Sequence, residues 1–280
     1  SISGTSISNQ VMTKLIGGTG KGSFNLLGQD IDGAQSDHNG TSVSFSSDGS
    51  RVAIGANQTS LKKGYVRIFD YNGSAWVQVG GVIYGEAVND LSGTSVSLSS
   101  DGSRVAIGAV NNDNANIGGN NDNRGHVRIY DYNGSAWVQV GADIEGEARI
   151  DYSGYSVSLS SDGSRVAIGA YQNDGNGDSS GHVRIYEYDS NSNSWSKLGD
   201  DIDGEAAGDA SGRSVSLSSD GSRVAIGAIQ NDGTSGDDLD LRGHVRIYDY
   251  NTSTQSWVQV GADIDGEAAG DRSGYSVSLS

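Results

Sequence analysis

The sequence repeats itself, and a repeat of this period constrains the fold more than any other property of the chain. Gly40-Thr-Ser-Val-Ser, Gly93-Thr-Ser-Val-Ser, Gly154-Tyr-Ser-Val-Ser, Gly212-Arg-Ser-Val-Ser and Gly274-Tyr-Ser-Val-Ser recur at spacings of 53, 61, 58 and 62 residues. Each full unit holds four runs of strand length. The first, Ser-Val-Ser-Leu-Ser, alternates at period two and ends in Ser-Asp-Gly-Ser, whose Asp-Gly supplies the positive φ of a tight hairpin turn. The second, Val-Ala-Ile-Gly-Ala, is apolar without alternation, as a strand buried on both faces should be. The third, such as Val-Arg-Ile-Tyr-Asp-Tyr, is β-branched and aromatic, and a polar turn joins it to the fourth, Trp137-Val-Gln-Val in one unit. No segment carries a helical period.

Four antiparallel strands repeated at this interval predict an all-β fold, a β-propeller of four-stranded antiparallel blades that stack radially and cover both of each other's faces. Full blades are expected at about 40–85, 93–146, 154–204 and 212–266, within a single domain spanning 1–280. A lone first strand follows Gly274, and Phe24-Asn-Leu-Leu-Gly-Gln-Asp-Ile-Asp-Gly33 matches the fourth-strand segment Trp257-Val-Gln-Val-Gly-Ala-Asp-Ile-Asp-Gly266. Residues 1–32 and 274–280 are therefore expected to share a fifth blade split between the termini, which would leave no free sheet edge.

Composition narrows the function. With 43 glycines and no proline in 280 residues, collagen and polyproline modules are excluded. The net charge of −17 repels nucleic acid and anionic lipid, and no apolar run is long enough to cross a membrane. The absence of cysteine removes disulfides, thiolate nucleophiles and Cys-ligated metals. Starting at Ser1 without a Met or an apolar leader, the chain reads as a mature or excised soluble segment.

The unit Gly208-Asp209-Ala-Ser-Gly212-Arg-Ser-Val-Ser-Leu-Ser-Ser-Asp-Gly-Ser-Arg-Val-Ala-Ile-Gly-Ala228, followed by Asn231-Asp-Gly and Gly243-His-Val-Arg-Ile-Tyr, resembles the FG-GAP repeats of integrin-α-like propellers, in the subgroup that lacks the long calcium loop. The resemblance covers about residues 20–280, with two departures. Ser-Gly stands for the family's Phe-Gly, and Asn57, Val110, Tyr171 and Ile229 stand where its Gly-Ala-Pro has proline. The Ser-Ser-Asp-Gly-Ser turn offers one carboxylate, too few for a cation that takes six to eight oxygens. The resemblance implies a secreted or cell-surface, non-enzymatic propeller.

Calcium is the one cofactor considered, with weak ligand sets. Asp174, Asn176 and Asp178 have the one-three-five spacing of a calcium loop, but the glycine and bidentate glutamate of an EF-hand are missing. Asp201, Asp203 and Glu205, like Asp263, Asp265 and Glu267, alternate so that each set lines one face of an extended segment. The variable loops between second and third strands are the expected ligand-binding surface, with Asn112, Asp113, Asp122, Asp174, Asn176, Asp178, Asp232, Asp237, Asp238 and Asp240 as contact residues. Repetition in every blade marks Asp37, Asp90, Asp151, Asp209 and Asp271, and Arg67, Arg128, Arg184 and Arg246, as architecture. His126, His182 and His244 precede the third strand in three blades and Tyr65 in the other; with only His38 besides, no metal-binding or catalytic histidine cluster is expected.

No catalytic residue is expected, and the chain is read as not an enzyme. The function expected is a binding, adhesion or structural module whose partners are a protein or glycan at the cell surface, with self-association and without direct membrane insertion. The alternatives are a lectin-like propeller using Trp76, Trp137, Trp195 and Trp257, or a subunit of an extracellular filament or coat.

Overall fold

The structure, a computed structural model, describes residues 26–58, 62–113, 122–233 and 240–280. Among them the chain forms four antiparallel sheets and no helix, so no helix is long and apolar enough to cross a membrane. First strands run Asn39–Phe45, Ser92–Leu98, Ser156–Leu159 and Ser211–Leu217. Second strands run Arg51–Ala56, Arg104–Ala109, Arg165–Ala170 and Arg223–Ala228. Third strands run Tyr65–Tyr71, His126–Tyr132, His182–Asp189 and His244–Asn251.

The fourth position of each sheet is broken in two. In the first blade Trp76–Gln78 pairs with one end of the third strand and Ile83–Tyr84 with the other. The same division recurs at Ser194–Lys197 with Ile202–Asp203 and at Ser256–Gln259 with Ile264–Asp265. The short second piece carries the acidic segment to the end of the blade where the third strand begins.

Each second strand is buried along almost its whole length, as its unbroken apolar run predicts. Blades meet along their first strands. The Leu98 amide donates to Ser44 Oγ, Leu159 to Ser97 Oγ and Leu217 to Ser158 Oγ, at 2.9–3.0 Å. Leu279 donates to Ser216 Oγ in the same way, so the segment after Gly274 lies where a following first strand would.

Glycine sets how closely the blades approach. A Cβ on Gly108 would lie 2.0 Å from the Gly154 carbonyl oxygen of the next blade, and the same holds for Gly169 against Gly212 and Gly227 against Gly274. Ser95, Ser156 and Ser214 donate to those same carbonyls. The recurrent glycine of Ile-Gly-Ala is thus a place where one backbone lies directly against another.

The tryptophans tie blades together. Trp137, Trp195 and Trp257 donate their indole N–H to the carbonyls of Val79, Val140 and Leu198 in the preceding blade, and Trp76 donates to Leu27 in the equivalent place. Residues 1–25, most of the N-terminal part of the expected split blade, lie outside the described residues.

Candidate functional site

The end of each blade that carries the loop between second and third strands also carries the start of the third strand and the acidic segment that leads to the next blade. Recurrent residues build the floor of this region. Asp90 accepts the amides of Glu86 and Ala87, and Asp209 those of Glu205 and Ala206, closing the turn before each repeat glycine. Arg128 reaches back to the Tyr84 carbonyl of the preceding segment, Arg246 to that of Asp203, and Arg67 to that of Asp32.

Among the described residues, three groups of ionisable side chains lie between these braces: Glu86 with His126 and Asp143, Glu147 with His182 and Asp201, and Glu205 with His244 and Asp263. In each, one donor atom per residue lies within 4.8 Å of the others. Every group spans a seam: the glutamate ends the preceding blade's acidic segment, while the histidine and aspartate belong to the following blade. The histidines are buried, His126 and His244 to 1% exposure and His182 to 3%. Neither ring nitrogen of His126 or of His244 has a hydrogen-bond partner. Burial, helped by the adjacent Arg128 guanidinium, pushes His126 down to about 4, so its imidazole is neutral at neutral pH. Burial also lowers His182 and His244. Glu86 is raised, first by burial and then by repulsion from Asp143.

The seams are not equivalent. Arg128 stands 3.6 Å from Glu86, and Arg246 3.6 Å from Glu205. At the middle seam Arg184 pairs with both Glu147 and Asp201, and Lys197 binds Asp201 at 2.7 Å. Burial tends to raise Asp201, but Lys197 and Arg184 together hold it below the usual carboxylate range. Gln139 and Gln259 occupy the place of Lys197 in the other two blades and donate to Asp143 and Asp263.

Two cavities of about 200 Å³ open beside these groups. One is lined by Asp143, Glu145, Tyr186, Ser194 and Trp195. The other is lined by Asp201, Asp203, Tyr248, Ser256 and Trp257. Asp143 and Asp201 each belong to both a seam group and a cavity.

The structure divides the acids that alternation places on one face. Asp201 joins His182 of its own blade, whereas Glu205 joins His244 of the next. Asp263 faces His244; Asp203 and Asp265 lie 4.0 Å from His182 and His244 respectively. Glu267 lies beyond the last described seam group. The loop acids brace their own loops: Asp113 accepts the Asn123 amide, Asp122 pairs with buried Arg124 at 2.5 Å, and Asp240 pairs with Arg242 at 2.8 Å. Asp232 Oδ1 accepts the Leu241 amide, and the Asn112 carbonyl accepts that of Gly125. Asp174 accepts the Ser179 amide, Asn176 donates to the Gly204 and Glu205 carbonyls, and the Asp178 carbonyl accepts from Gly208. Neither Asp174 nor Asp178 joins a seam group. Asp237 and Asp238 lie outside the described residues.

The histidines are what sequence reasoning missed. Taken alone they form no cluster, but the fold supplies each with carboxylates from positions 40 residues before and 17 residues after in the case of His126. One signal for this is internal to the chain. In the first blade the three corresponding positions are Ala34, Tyr65 and Val82, so all three donors are replaced together, while the arginine, as Arg67, remains.

Comparison with known proteins supports the fold. The FG-GAP repeat family matches residues 145–186, from the acidic segment that ends one blade to the third strand of the next. No curated protein matches the chain by sequence. Among solved structures similar in fold are a periplasmic gluconolactonase of Pseudomonas aeruginosa (13% identity, TM-score 0.55, covering 88% of this chain) and a "putative 6-phosphogluconolactonase" of Bacteroides uniformis (13% identity, TM-score 0.53, covering 81%). A second "putative 6-phosphogluconolactonase", from Bacteroides fragilis, has 14% identity and a TM-score of 0.51 over 81% of this chain. The chain spans 55–61% of the length of these structures. They correct the expectation of a non-enzymatic binding, lectin or filament module: propellers of like fold are named as lactone hydrolases, and none of the three is an integrin. The chain is a propeller-like, all-β protein that carries an FG-GAP repeat.

Proposed function

We propose that the chain is a hydrolase of sugar lactones working at the cavity beside Asp143. The observation that carries this reading is that Asp143 belongs at once to an acid–imidazole group and to a 200 Å³ cavity walled by Trp195 and Tyr186. Aromatic walls of this kind take the apolar face of one sugar ring, and a cavity smaller than the roughly 300 Å³ at which sites for larger ligands begin limits the occupant to a single ring. The names of the three solved structures support lactones as the substrate class.

In this reading Gln139 holds Asp143 Oδ1 at 2.6 Å and leaves Oδ2 on the side of His126, 3.6 Å away. Oδ2 accepts a proton from a water molecule as the water oxygen adds to the lactone carbonyl carbon. The ring C–O bond then breaks, the ring oxygen leaves as a hydroxyl carrying the proton returned by Asp143, and the product is the open hydroxy acid. The charge balance favours an uncharged aldonolactone over its phosphate ester, since Asp143 and Glu145 line the cavity of a chain with net charge −17. A location outside the cytoplasm, secreted or periplasmic, accords with the FG-GAP repeat and with the periplasmic relative.

The test is a pH-stat assay of glucono-δ-lactone opening, corrected for spontaneous hydrolysis. Asp143→Asn is expected to lower the enzymatic rate by about 10²-fold or more, the usual contribution of a general base. Trp195→Ala is expected to act chiefly on KM. Wild-type protein inert toward neutral aldonolactones, or an Asp143→Asn variant as fast as the parent, would overturn the reading.

A further inference from the structure

We infer that the seams holding His126 and His244 are binding sites for a divalent transition-metal ion of the zinc class, each formed by one imidazole and two carboxylates from two adjacent blades. Three independent observations converge on these sites.

The first is the orphaned imidazole. His126 and His244 are 1% exposed, and neither nitrogen of either ring has a hydrogen-bond partner. A buried polar group left this way is destabilising unless something binds it. Each Nδ1 faces carboxylate oxygens, at 3.6 Å from Asp143 for His126 and 3.8 Å from Glu205 for His244. These gaps are too long for hydrogen bonds. They match two donors sharing an ion whose bonds are about 2.0–2.2 Å long.

The second is the internal blank. The first blade keeps the fold, the capping aspartate as Asp37 and the arginine as Arg67, yet has Ala34, Tyr65 and Val82 at the three donor positions. There the Tyr65 hydroxyl donates to Asp37, which provides the partner that His126 and His244 lack. If each acid served only its own turn or strand edge, nothing would link the loss of one to the loss of the others. Shared coordination does link them.

The third is the middle seam, where a protein cation already sits. Arg184 contacts both Glu147 and Asp201, and Lys197 contacts Asp201, so positive charge from side chains occupies the place between those carboxylates. At the other two seams glutamine replaces the lysine, and the arginine stands back at 3.6 Å from a single glutamate. The donor set of one nitrogen and two oxygen ligands favours zinc-class ions over calcium, which takes six to eight oxygens. Half-exposed Glu86 and Glu205, at 49% and 43%, leave the outer side of each site open to an incoming ion and to water.

A zinc ion held by Asp143 Oδ2 takes that oxygen out of the role of base, so zinc at the His126 seam is expected to inhibit lactone hydrolysis; the test uses the His244 seam, which takes no part in that reading. Untagged protein of residues 1–280, stripped with EDTA and dialysed, is titrated calorimetrically with zinc chloride and separately with calcium chloride. Two zinc ions per chain are expected, with a melting temperature that rises with zinc and falls in EDTA. His244→Tyr copies the residue that the first blade already tolerates, and Glu205→Gln keeps size and polarity; each is expected to reduce the stoichiometry from two to one. Absence of saturable zinc binding, tighter binding of calcium than zinc, or a zinc stoichiometry unchanged in both variants would overturn the inference.

Discussion

At the scale of the residue, glycine and histidine show opposite limits of what a sequence reveals. The glycine of Ile-Gly-Ala recurs in every blade, and its recurrence alone suggests a backbone requirement. Its cause is visible only in three dimensions, because the atom it avoids, the Gly154 carbonyl oxygen in the case of Gly108, belongs to the next blade. Gly108→Ala is therefore expected to destabilise the chain by about 1–3 kcal/mol through overpacking. Gly81→Ala, with nothing within 4 Å of its Cβ, is expected to stay within about 0.5 kcal/mol of the parent. Urea denaturation of the two variants makes the comparison; equal stabilities would contradict close backbone approach at Gly108. The histidines are legible as a repeat and not as a site, because their partners come from segments far apart in sequence. The joint replacement at Ala34, Tyr65 and Val82 is present in the sequence, but only the fold shows that these positions meet.

At the scale of the element, the four strand runs and the Asp-Gly hairpins are readable, since period-two alternation and turn chemistry are local. The break in the outer strand is not, because both pieces pair with one third strand and only the tertiary ladder separates them. The hairpins carry a testable consequence. Asp48 accepts hydrogen bonds from the Ser46 hydroxyl and from the amide and hydroxyl of Ser50, and this holds its carboxyl down to about 2. Asp220 is held at about 2 by Ser218 and Ser222 in the same manner. A carboxylate with a depressed folded pKa adds stability above its unfolded pKa near 3.8 and loses it as the pH falls toward 2. Stability measured by denaturant melts is thus expected to decline between about pH 4 and pH 2, and Asp220→Asn, which keeps the turn's acceptor without the titration, should flatten part of that decline. An unchanged slope in the variant would show that the turn carboxylate does not contribute.

At the scale of the whole molecule, repetition explains both the ease of reading the fold and the difficulty of reading the function. Four near-identical blades announce a propeller, and the same identity suggests a scaffold without chemistry. The seams reverse that inference, because blade-to-blade differences of a few residues decide which junctions present open donors: Tyr65 fills one, Arg184 and Lys197 close another, and His126 and His244 are left facing carboxylates without partners. The two metal sites inferred here each belong to a pair of blades, and neither is contained in a single repeat. The most direct measurement is a crystal structure of the zinc-soaked protein with anomalous scattering recorded at the zinc edge. Peaks are predicted between Glu86, His126 and Asp143 and between Glu205, His244 and Asp263, with none beside Tyr65. Crystals with no anomalous peak at either histidine seam, or with an ion bound at the Tyr65 seam instead, would contradict the account.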